Sequence, residues 1–391
     1  MIFALPSGRA GRYAAAMLKI NRVQIANYKS IEALDFEARR VTVFIGGPNT
    51  GKSNILESLA LLSPGMSERF KEYFRIHHAG DLFYDQDRKR IIEVKTTPLG
   101  RGWKLRFDRA SGRYGWTSRH ESGGWPEQMF NEEQLEREVS RNPPHSPIRA
   151  YLFRADLFAG GKGVDLGFLS PPYGSNLGAI LTSDRAVRES ISFLFKEHHL
   201  RLEVRMPSSE ILVSKFVDDV LFSYPFSAVS ETLRRIAFLK AALETNTDAV
   251  LILDEPEANT FPFYTKYLAE RIALDETNQF FLTTHNPYVL MSIIEKTPTA
   301  DLAVYVTRMR NYRTEVHLLT GEELVEALDL GMACSSTSTA TSRRDAAPRM
   351  QGGRGGRPDA GTSRTRMPPP RRQEPRVPSL GKGTWRGGPG G

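Results

Sequence analysis

Cysteine is almost absent from this chain, which has a single one, Cys334, in 391 residues. The chain before it can therefore form no disulfide, no cysteine-based zinc site and no cysteine nucleophile. No apolar run approaches the ~18–20 residues that a membrane-spanning helix needs. The opening Met1–Pro6 is too short for the apolar core of a signal peptide and has no basic segment before it. These absences predict a cytoplasmic protein without a membrane partner.

The folded part of the chain also lacks an excess of charge of either sign. The whole sequence has 53 Lys and Arg against 45 Asp and Glu, a net charge of +8. Residues 331–391 alone hold 12 basic and 3 acidic residues, which leaves 41 basic and 42 acidic residues before them. The basic excess is thus a property of the C-terminal tail. It gives no electrostatic argument for nucleic-acid binding by the rest of the chain.

Both ends of the chain lack the periodic apolar residues of folded segments. Residues 1–16 show no period and are either an extension or the product of a misplaced start, so we expect the folded domain to begin at Met17. Residues 331–391 are rich in Arg, Gly, Pro and Ser, and their shortage of aliphatic side chains predicts disorder. The tail is an arginine-rich nucleic-acid binder, an inert linker or out-of-frame translation of GC-rich DNA, and the sequence leaves these three open.

A glycine-rich turn near the start is the strongest motif in the chain. The β-branched run from Val41 to Ile45 leads into G-x-x-x-x-G-K-S, and an apolar-periodic helix follows. This strand–turn–helix order is the context that a phosphate-binding P-loop requires. Its backbone N–H groups can surround a phosphate, its lysine can reach the outer phosphates, and its serine can bind Mg²⁺. The predicted nucleotide-binding residues are Gly46, Gly47, Pro48, Asn49, Thr50, Gly51, Lys52 and Ser53.

Two later apolar runs end in the residues that such a loop needs as partners. Ala249–Leu253 is apolar throughout, as buried strands of parallel sheets are, and Asp254 and Glu255 follow it. This aspartate can hold Mg²⁺ opposite the serine of the loop, and the glutamate can orient or deprotonate the attacking water. His285 follows a second run, Phe280–Thr284, where its ring can sense the terminal phosphate. We therefore predict Ser53 and Asp254 as metal ligands, and Lys52, Glu255 and His285 as catalytic residues.

The remaining patterns predict an α/β protein with a long insert between the two halves of the site. Strand-like alternation marks residues 17–31, 34–38, 91–95, 103–107, 114–117, 200–204, 211–217, 302–308 and 314–319. Helical patterns mark a segment ending near 78 and residues 177–198, 231–243, 262–276 and 322–328. Residues 224–229 are predicted to form a loop, and Ser230 is predicted to cap the helix after it.

Three segments together resemble the ABC-type ATPases of the SMC/RecF/OLD group: the loop at 46–53, Leu253–Ala258 and Thr283–Pro287. The likeness covers roughly residues 17–330 and is greatest to the stand-alone AAA-domain ATPases of bacteria and archaea. It implies a two-lobed P-loop NTPase fold with a mixed central sheet, an antiparallel β subdomain and a helical insert over about residues 64–220. It also implies ATP and Mg²⁺ as cofactors, and a head-to-tail homodimer with ATP at the interface.

The resemblance adds further residues to the predicted site. Asn27-Tyr-Lys-Ser30 is similar to the group's Asn-Phe-Lys/Arg-Ser motif, which implies that Lys29 and Ser30 lie near the nucleotide. Ser230 stands where the signature serine of the group contacts the ATP of the partner subunit, although the glycine that should follow it is missing. Gln86 is only a candidate for the group's Q-loop glutamine.

The chain departs from the group in ways that bear on its function. The usual Glu-Pro-Glu-Ala-His-Leu-His-Pro reads Glu-Pro-Glu-Ala-Asn-Thr-Phe-Pro at 255–262, so both histidines are replaced. Only about 45 patterned residues follow His285, too few for the nuclease domain of full OLD proteins, and the body has no C-x-x-C zinc hook. We expect an ATPase of DNA repair, recombination or defence, with DNA binding implied by resemblance alone. The alternatives are the ATP-binding subunit of a transporter and a nucleotide-dependent binding module with little turnover.

Overall fold

The computed structural model of the chain describes residues 19–66, 69–120, 123–124, 126–138, 146–158 and 163–324, and the predictions for both termini lie outside these residues. The strands are β1 (Ile20–Tyr28), β2 (Ile31–Glu37), β3 (Val41–Ile45), β4 (Ile92–Pro98), β5 (Gly102–Asp108), β6 (Arg113–His120), β7 (Gly123–Gly124), β8 (Gln128–Phe130), β9 (Ile148–Tyr151), β10 (Arg201–Arg205), β11 (Glu210–Val217), β12 (Val220–Pro225), β13 (Val250–Asp254), β14 (Gln279–Thr283), β15 (Leu302–Arg310) and β16 (Arg313–Leu318). The α-helices are α1 (Lys52–Ala60), α2 (Phe70–Tyr73), α3 (Glu132–Glu138), α4 (Leu177–Ser183), α5 (Arg185–Lys196), α6 (Glu231–Thr245), α7 (Pro262–Ala273) and α8 (Pro287–Lys296).

The three continuous apolar runs of the sequence form the middle of a six-stranded sheet. Its order is β16-β15-β3-β14-β13-β9, with β15 and β16 antiparallel and all other neighbours parallel. All residues of β3 and β14 are buried, because both faces of the sheet are covered and a strand at its centre has no solvent side. The predictions for strands at 41–45, 249–253 and 280–284 are confirmed to within one residue.

Alternate residues of the central strands serve two separate hydrophobic cores. Val43 and Leu282 pack in a core built largely with helices α4 to α8. Phe44 and Phe281 pack in the other core, together with α1 and the strands of a second sheet. Successive side chains of a strand face opposite ways, so each strand contributes to both cores. The strand that leads into the P-loop is therefore fixed from both sides.

The second sheet joins the N-terminal hairpin to the predicted meander. Its order is β2-β1-β4-β5-β6-β7, with β8 also pairing with β6, and every pair is antiparallel. The meander is confirmed, with the addition that its first strand pairs with β1. Lys95 and Lys104 on this sheet contact Glu93 at 3.0 and 2.8 Å. The single carboxylate of Glu93 thus pairs with both lysines, whose side chains are exposed on the solvated face of the sheet.

Local structure in the insert departs from the sequence-based prediction. Between residues 69 and 78, all of which the structure describes, the α-helix is the four-residue α2, so the prediction of a helix reaching His77 and His78 is wrong. The predicted helix at 177–198 is two helices, because the Asp184 carboxylate caps α5 by accepting from the Val187 N–H at 3.0 Å. The sequence predicts a loop from 224, whereas β12 continues to Pro225 through pairing with β11.

Strand β9 and helix α8 are among the elements that the sequence-based prediction missed. Strand β9 has four residues and forms the sheet edge through pairing with β13, about 100 positions later in the chain. Helix α8 begins at Pro287, directly after Asn286, whose side chain accepts from the Tyr288 N–H at 2.9 Å. An asparagine cap followed by proline is a known helix start, so this signal was present in the sequence. Across residues 19–324, where described, no helix is long and apolar enough to span a bilayer.

Candidate functional site

The glycine-rich loop is held against the two strands β15 and β16. Gly46 and Gly51 have φ values of 146° and 92°, conformations that favour glycine. A Cβ at Gly46 would lie 2.5 Å from the Thr307 carbonyl oxygen, and one at Gly51 would lie 2.0 Å from Thr314 Oγ1. A Cβ at Gly47 would meet nothing within 4 Å. The first and last glycines are thus required by packing, and the loop is open at Gly47.

The loop brings the ammonium group of Lys52 close to the start of α1. Lys52 is 7% exposed, and its ammonium group donates to the carbonyl oxygens of Gly46 and Gly47 at 2.9 and 2.8 Å. Gly51 occupies the N-cap position of α1, and no side chain caps this helix. Ser53, partly exposed, lies in the first turn. Backbone N–H groups at such a helix start, together with a lysine, form a ready site for a phosphate.

Thr50 fixes the loop from within. Its Oγ1 donates to the Gly47 carbonyl at 3.0 Å and lies 2.7 Å from Thr307 Oγ1. Thr307 in turn donates to the carbonyl of Ile45, the last residue of β3. Pro48 and Asn49 are exposed at the tip. The eight loop residues form one continuous turn, and their contacts with a nucleotide remain predictions.

Thr283, which the sequence-based argument did not single out, fixes both acids at the end of β13. Its hydroxyl donates to Asp254 Oδ1 at 2.5 Å and accepts from the backbone N–H of Glu255 at 2.9 Å. Asp254 and Thr283 are paired in the parallel register of β13 and β14, and Thr283 is fully buried. A buried threonine at a strand end, next to a second threonine, is the signal that could have found it.

Glu255 and His285 meet across the ends of the same two strands. His285 Nδ1 lies 3.0 Å from Glu255 Oε1, with the histidine side chain 60% exposed and the glutamate side chain 35% exposed. Glu255 has a φ of 43°, a left-handed conformation that is costly for a residue with a side chain. Strained backbone of this kind is common at functional sites. The structure therefore brings together the two predicted catalytic residues that follow the sheet.

The strand order places these acids at the same edge as the P-loop. Strand β14 lies between β3 and β13, and all three run parallel. The P-loop and the Asp254–Glu255 pair both follow the carboxyl ends of their strands, and such ends share one edge of a parallel sheet. The sequence predicted these three strands but not that β14 lies between the other two.

The residues at this edge suit Mg²⁺ in the way that nucleotide enzymes hold it. Ser53 and Asp254 offer a hydroxyl and a carboxylate, the hard oxygen ligands that Mg²⁺ prefers. Within the described parts of the chain, no group of three or more His, Cys, Asp or Glu side chains could hold a metal by itself. Mg²⁺ is usually bound through one or two carboxylates together with substrate phosphates, so this sparse donor set fits it.

Lys29 forms a buried ion pair with Glu57, a residue of α1, which is the helix that follows the loop. Its ammonium group donates to Glu57 Oε2 at 2.5 Å and to the Phe74 carbonyl. Arg75 contacts the other oxygen of Glu57 through Nε at 2.8 Å. Burial lowers the pKa of Lys29 and raises the pKa of Glu57. Lys29 thus ties the β1–β2 turn to α1, and a contact with nucleotide remains a prediction.

Gln86 lines an open cleft beside α1, and Ser30 contacts Asn54, another residue of its lining. Ser30 Oγ accepts from Asn54 Nδ2 at 2.7 Å and lies 2.7 Å from Thr314 Oγ1. The cleft has a volume of about 400 Å³, and Gln86 bonds Asp81 there at 3.2 Å. Its lining residues are Lys29, Asn54, Arg75, Asp81, Phe83, Asp85 and Gln86. Gln86 therefore stays a candidate for the Q-loop glutamine.

Ser230 is the exposed N-cap of α6, as the sequence predicts. Its Oγ accepts from the Leu233 N–H at 3.4 Å. The neighbouring Thr232 donates to the carbonyl of Asn259 at 3.2 Å, in the segment that follows Glu255. The start of α6 is thus linked to the acidic strand end, with Ser230 facing solvent.

Comparison with known proteins gives a family match over the second half of the site. Residues 166–292 match the family model described as "AAA domain, putative AbiEii toxin, Type IV TA system". No curated protein matches the chain.

Similar solved structures are SMC head domains. An SmcHead bound to the C-winged helix domain of ScpA shares 14% identity, with a TM-score of 0.48, over 78% of this chain and 99% of that one. A Pyrococcus furiosus Smc head with an extended coiled coil, bound to the C-terminal domain of ScpA, shares 13% identity, with a TM-score of 0.46, over 80% and 98%. The Thermotoga maritima SMC head shares 14%, with a TM-score of 0.38, over 78% and 100%.

The loop, the strand order and the family match lead to one assignment. The P-loop follows the central strand β3, and the acidic strand end and the histidine fall within residues 166–292. An antiparallel sheet and a helical layer cover the two faces of the central sheet. The chain thus combines a glycine-rich loop after a central parallel strand with an acidic strand end, and its residues 166–292 are similar to an AAA domain.

Proposed function

We propose that this protein binds and hydrolyses Mg·ATP between the P-loop and the ends of β13 and β14. The main support is the Thr283 hydroxyl, which donates to Asp254 and accepts from the Glu255 N–H. One buried side chain thereby holds the carboxylate of Asp254 and the backbone of Glu255 at the sheet edge that the P-loop also follows. Two acids with fixed and separate orientations suit separate tasks, metal binding and water activation.

Each residue of the site has a role in this proposal. Lys52 and the N–H groups at the start of α1 bind the phosphates of ATP. Ser53 and Asp254 would hold Mg²⁺, which when bound neutralises negative charge on the phosphates. As water attacks the terminal phosphorus and ADP leaves, Glu255 accepts the proton of the water. His285, 3.0 Å from Glu255, holds that carboxylate in place.

The steady-state rate of ATP hydrolysis by the full chain tests this proposal. Lys52→Ala should lower kcat by about 100-fold or more, because it removes the cation that faces the phosphates. The control is Lys266→Ala, which removes a lysine whose side chain is 68% exposed on α7. Hydrolysis that persists in Lys52→Ala at the rate of the control would overturn the site assignment.

We also propose that two copies dimerise head to tail around ATP, with Ser230 of each copy facing the nucleotide of the other. The support is the exposure of Ser230 at the start of α6 and the bond that links Thr232 to Asn259. Sedimentation with ATP, using Glu255→Gln to slow turnover, should show a dimer that is absent without nucleotide. A monomer in both conditions would rule this arrangement out.

The purposes that fit are DNA repair, recombination or defence in the cytoplasm. The description of the matched family names a type IV toxin–antitoxin system, which belongs to the last of these. Addition of duplex DNA to the hydrolysis assay separates them in part. Stimulation of kcat supports a role on DNA, and its absence favours a defence system that responds to another signal.

A nucleotide-dependent binding module with little turnover is the second candidate. The observation in its favour is that the glycine of the signature motif is missing after Ser230. In that case the wild-type chain binds ATP, Lys52→Ala loses the binding, and no hydrolysis is measured. Equilibrium binding of ATP therefore accompanies the kinetic assay.

A further inference from the structure

Glu257 is a buried carboxyl group that the proposed hydrolysis does not use. It lies two residues after Glu255, in the turn between β13 and α7, and is 5% exposed. Its Oε1 accepts from Thr284 Oγ1 at 2.5 Å, and its Oε2 has no hydrogen-bond partner among the described residues. Burying a carboxyl group with an unpaired oxygen costs folding free energy, so a glutamate at this position needs an explanation.

Thr284, the hydrogen-bond partner of Glu257, also holds the turn that carries His285. Thr284 is fully buried, and its Oγ1 also accepts from the Asn286 N–H at 3.0 Å. The Thr284 N–H donates to the Phe44 carbonyl at 3.1 Å, which ties this residue to the strand before the P-loop. His285 stands between Thr284 and Asn286, so its backbone is held on both sides by one hydroxyl group.

Two successive threonines thus form two separate hydrogen-bonded connections between the end of β14 and the end of β13. Thr283 bonds to Asp254 and to the Glu255 N–H, and Thr284 bonds to Glu257 and to the Asn286 N–H. The first connection fixes the acids of the site, and the second fixes the histidine turn. Burial raises the pKa of Glu257, and the hydrogen bond from Thr284 opposes that rise. The carboxyl group is 5% exposed, and its hydrogen bond from Thr284 links it to the histidine turn.

We propose that Glu257 is a positioning residue that holds, through Thr284, the turn placing His285 against Glu255. The inference rests on the proposed function, because it assigns the geometry of the same site. Loss of the Glu257–Thr284 bond leaves the P-loop contacts intact and frees the histidine turn. It therefore lowers kcat without weakening ATP binding.

Two pairs of variants of the full chain test this. Thr284→Val removes the hydroxyl at constant shape, and Thr284→Ser keeps it. Glu257→Ala removes the acceptor, and Glu257→Gln keeps an amide oxygen in its place. Thr284→Val and Glu257→Ala should each lower kcat about tenfold, with the Kd for ATP within about twofold of wild type. Thr284→Ser and Glu257→Gln should keep most of the activity. Adding Glu257→Ala to Thr284→Val should lower kcat little further, since Thr284→Val already removes the bond to Glu257 together with the bond from the Asn286 N–H.

The histidine ring gives a readout that does not need turnover. In ¹⁵N-histidine spectra of the 8 histidines, the His285 signal is assigned with His285→Gln. It should shift in Thr284→Val and stay in place in Thr284→Ser. If the wild type hydrolyses no ATP, the proposed function fails while this comparison still decides the role of the bond.

Three results would overturn the inference. The first is a His285 signal that is the same in Thr284→Val and Thr284→Ser. The second is a kcat that is unchanged in Thr284→Val although the signal moves. The third is a loss of ATP affinity equal to the loss of kcat, which indicates general damage to the fold. If Glu257→Ala does not fold, the two Thr284 variants still give all three readouts.

Discussion

His285 Nδ1 lies 3.0 Å from Glu255 Oε1, across the ends of two adjacent parallel strands. The two residues are 30 positions apart in the chain, and the helix α7 separates their strands. Each also has a fixed backbone, since Thr283 accepts from the Glu255 N–H and Thr284 accepts from the Asn286 N–H. The pair is therefore held by the sheet and acts as one unit.

Glu255→Gln should lower kcat for ATP by about 100-fold or more, because the amide cannot accept the proton of the attacking water. The Kd for ATP should stay close to wild type, since no contact of the P-loop is lost. His285→Gln should cost less, about tenfold, and the double variant should be no slower than Glu255→Gln, because residues in contact do not act additively. Steady-state kinetics measure all three, with Glu270→Gln on α7 as a control. Equal losses in Glu255→Gln and in that control would contradict this assignment.

Thr283→Val should raise the Mg²⁺ concentration needed for half-maximal hydrolysis. The variant removes the donor to Asp254 Oδ1 and leaves the Glu255 N–H without its acceptor. It should also lower the free energy of unfolding by about 1–3 kcal/mol, the cost of a buried unpaired polar group. Titration of hydrolysis with Mg²⁺ and denaturant unfolding check the two effects. Thr283→Ser keeps the hydroxyl and should match wild type in both, and a Thr283→Val that does the same refutes the role of this side chain.

Lys29→Met should destabilise the protein by about 3 kcal/mol near pH 8, because it removes one cation from a buried carboxylate. The side chains of Lys29 and Glu57 are 12% and 8% exposed. Lys266→Met, at a mostly exposed site, should cost almost nothing. If Lys29 instead serves the nucleotide, the variant weakens ATP binding and leaves the unfolding free energy unchanged.

The cost of Lys29→Met should depend on pH in a defined direction. Burial raises the pKa of Glu57 above its ordinary 4.5, so the folded state holds the Glu57 proton more tightly than the unfolded state does. The stability that this provides is present at acid pH and is lost as pH rises through the folded pKa. Protonated Glu57 needs no counter-ion, so the difference between variant and wild type should shrink as pH falls through the raised pKa of Glu57 in the folded state. A difference that stays constant over the whole acid range in which the protein remains folded would contradict an ionised Glu57 as its source.

Ser230→Ala should separate a helix cap from a nucleotide contact. Loss of the cap alone costs about 0.5–1 kcal/mol of stability and leaves kcat unchanged. The matched control is Asp184→Ala, which removes the cap of α5, where the carboxylate accepts from the Val187 N–H. If Ser230 faces the ATP of a second copy, Ser230→Ala also lowers kcat and ATP-dependent dimerisation, and Asp184→Ala does neither. Equal behaviour of the two variants would leave Ser230 as a cap only.

Local patterns were enough to predict the central strands and the P-loop helix. Val41–Ile45 is both apolar and followed by a glycine turn, so its strand and its buried position were legible without a structure. The prediction of one continuous helix over residues 177–198 was wrong, also for a local reason. Asp184 interrupts it as a cap, and an aspartate inside a periodic segment gives only a weak break signal.

The sequence by itself determined the chemistry available to this protein: a phosphate loop with Lys52 and Ser53, an acidic strand end at Asp254 and Glu255, and a histidine after the next strand. It did so because these motifs depend on residue type and local spacing. Only the tertiary structure decided which side chains hold them in place. Thr283, Thr284 and Glu257 act through bonds between neighbouring parallel strands, and their partners are 27 to 29 positions away in the chain. The same applies to Lys29, whose buried ion pair with Glu57 joins residues 28 positions apart. Pairing across a sheet places residues by register and not by sequence distance, so no local pattern could show it.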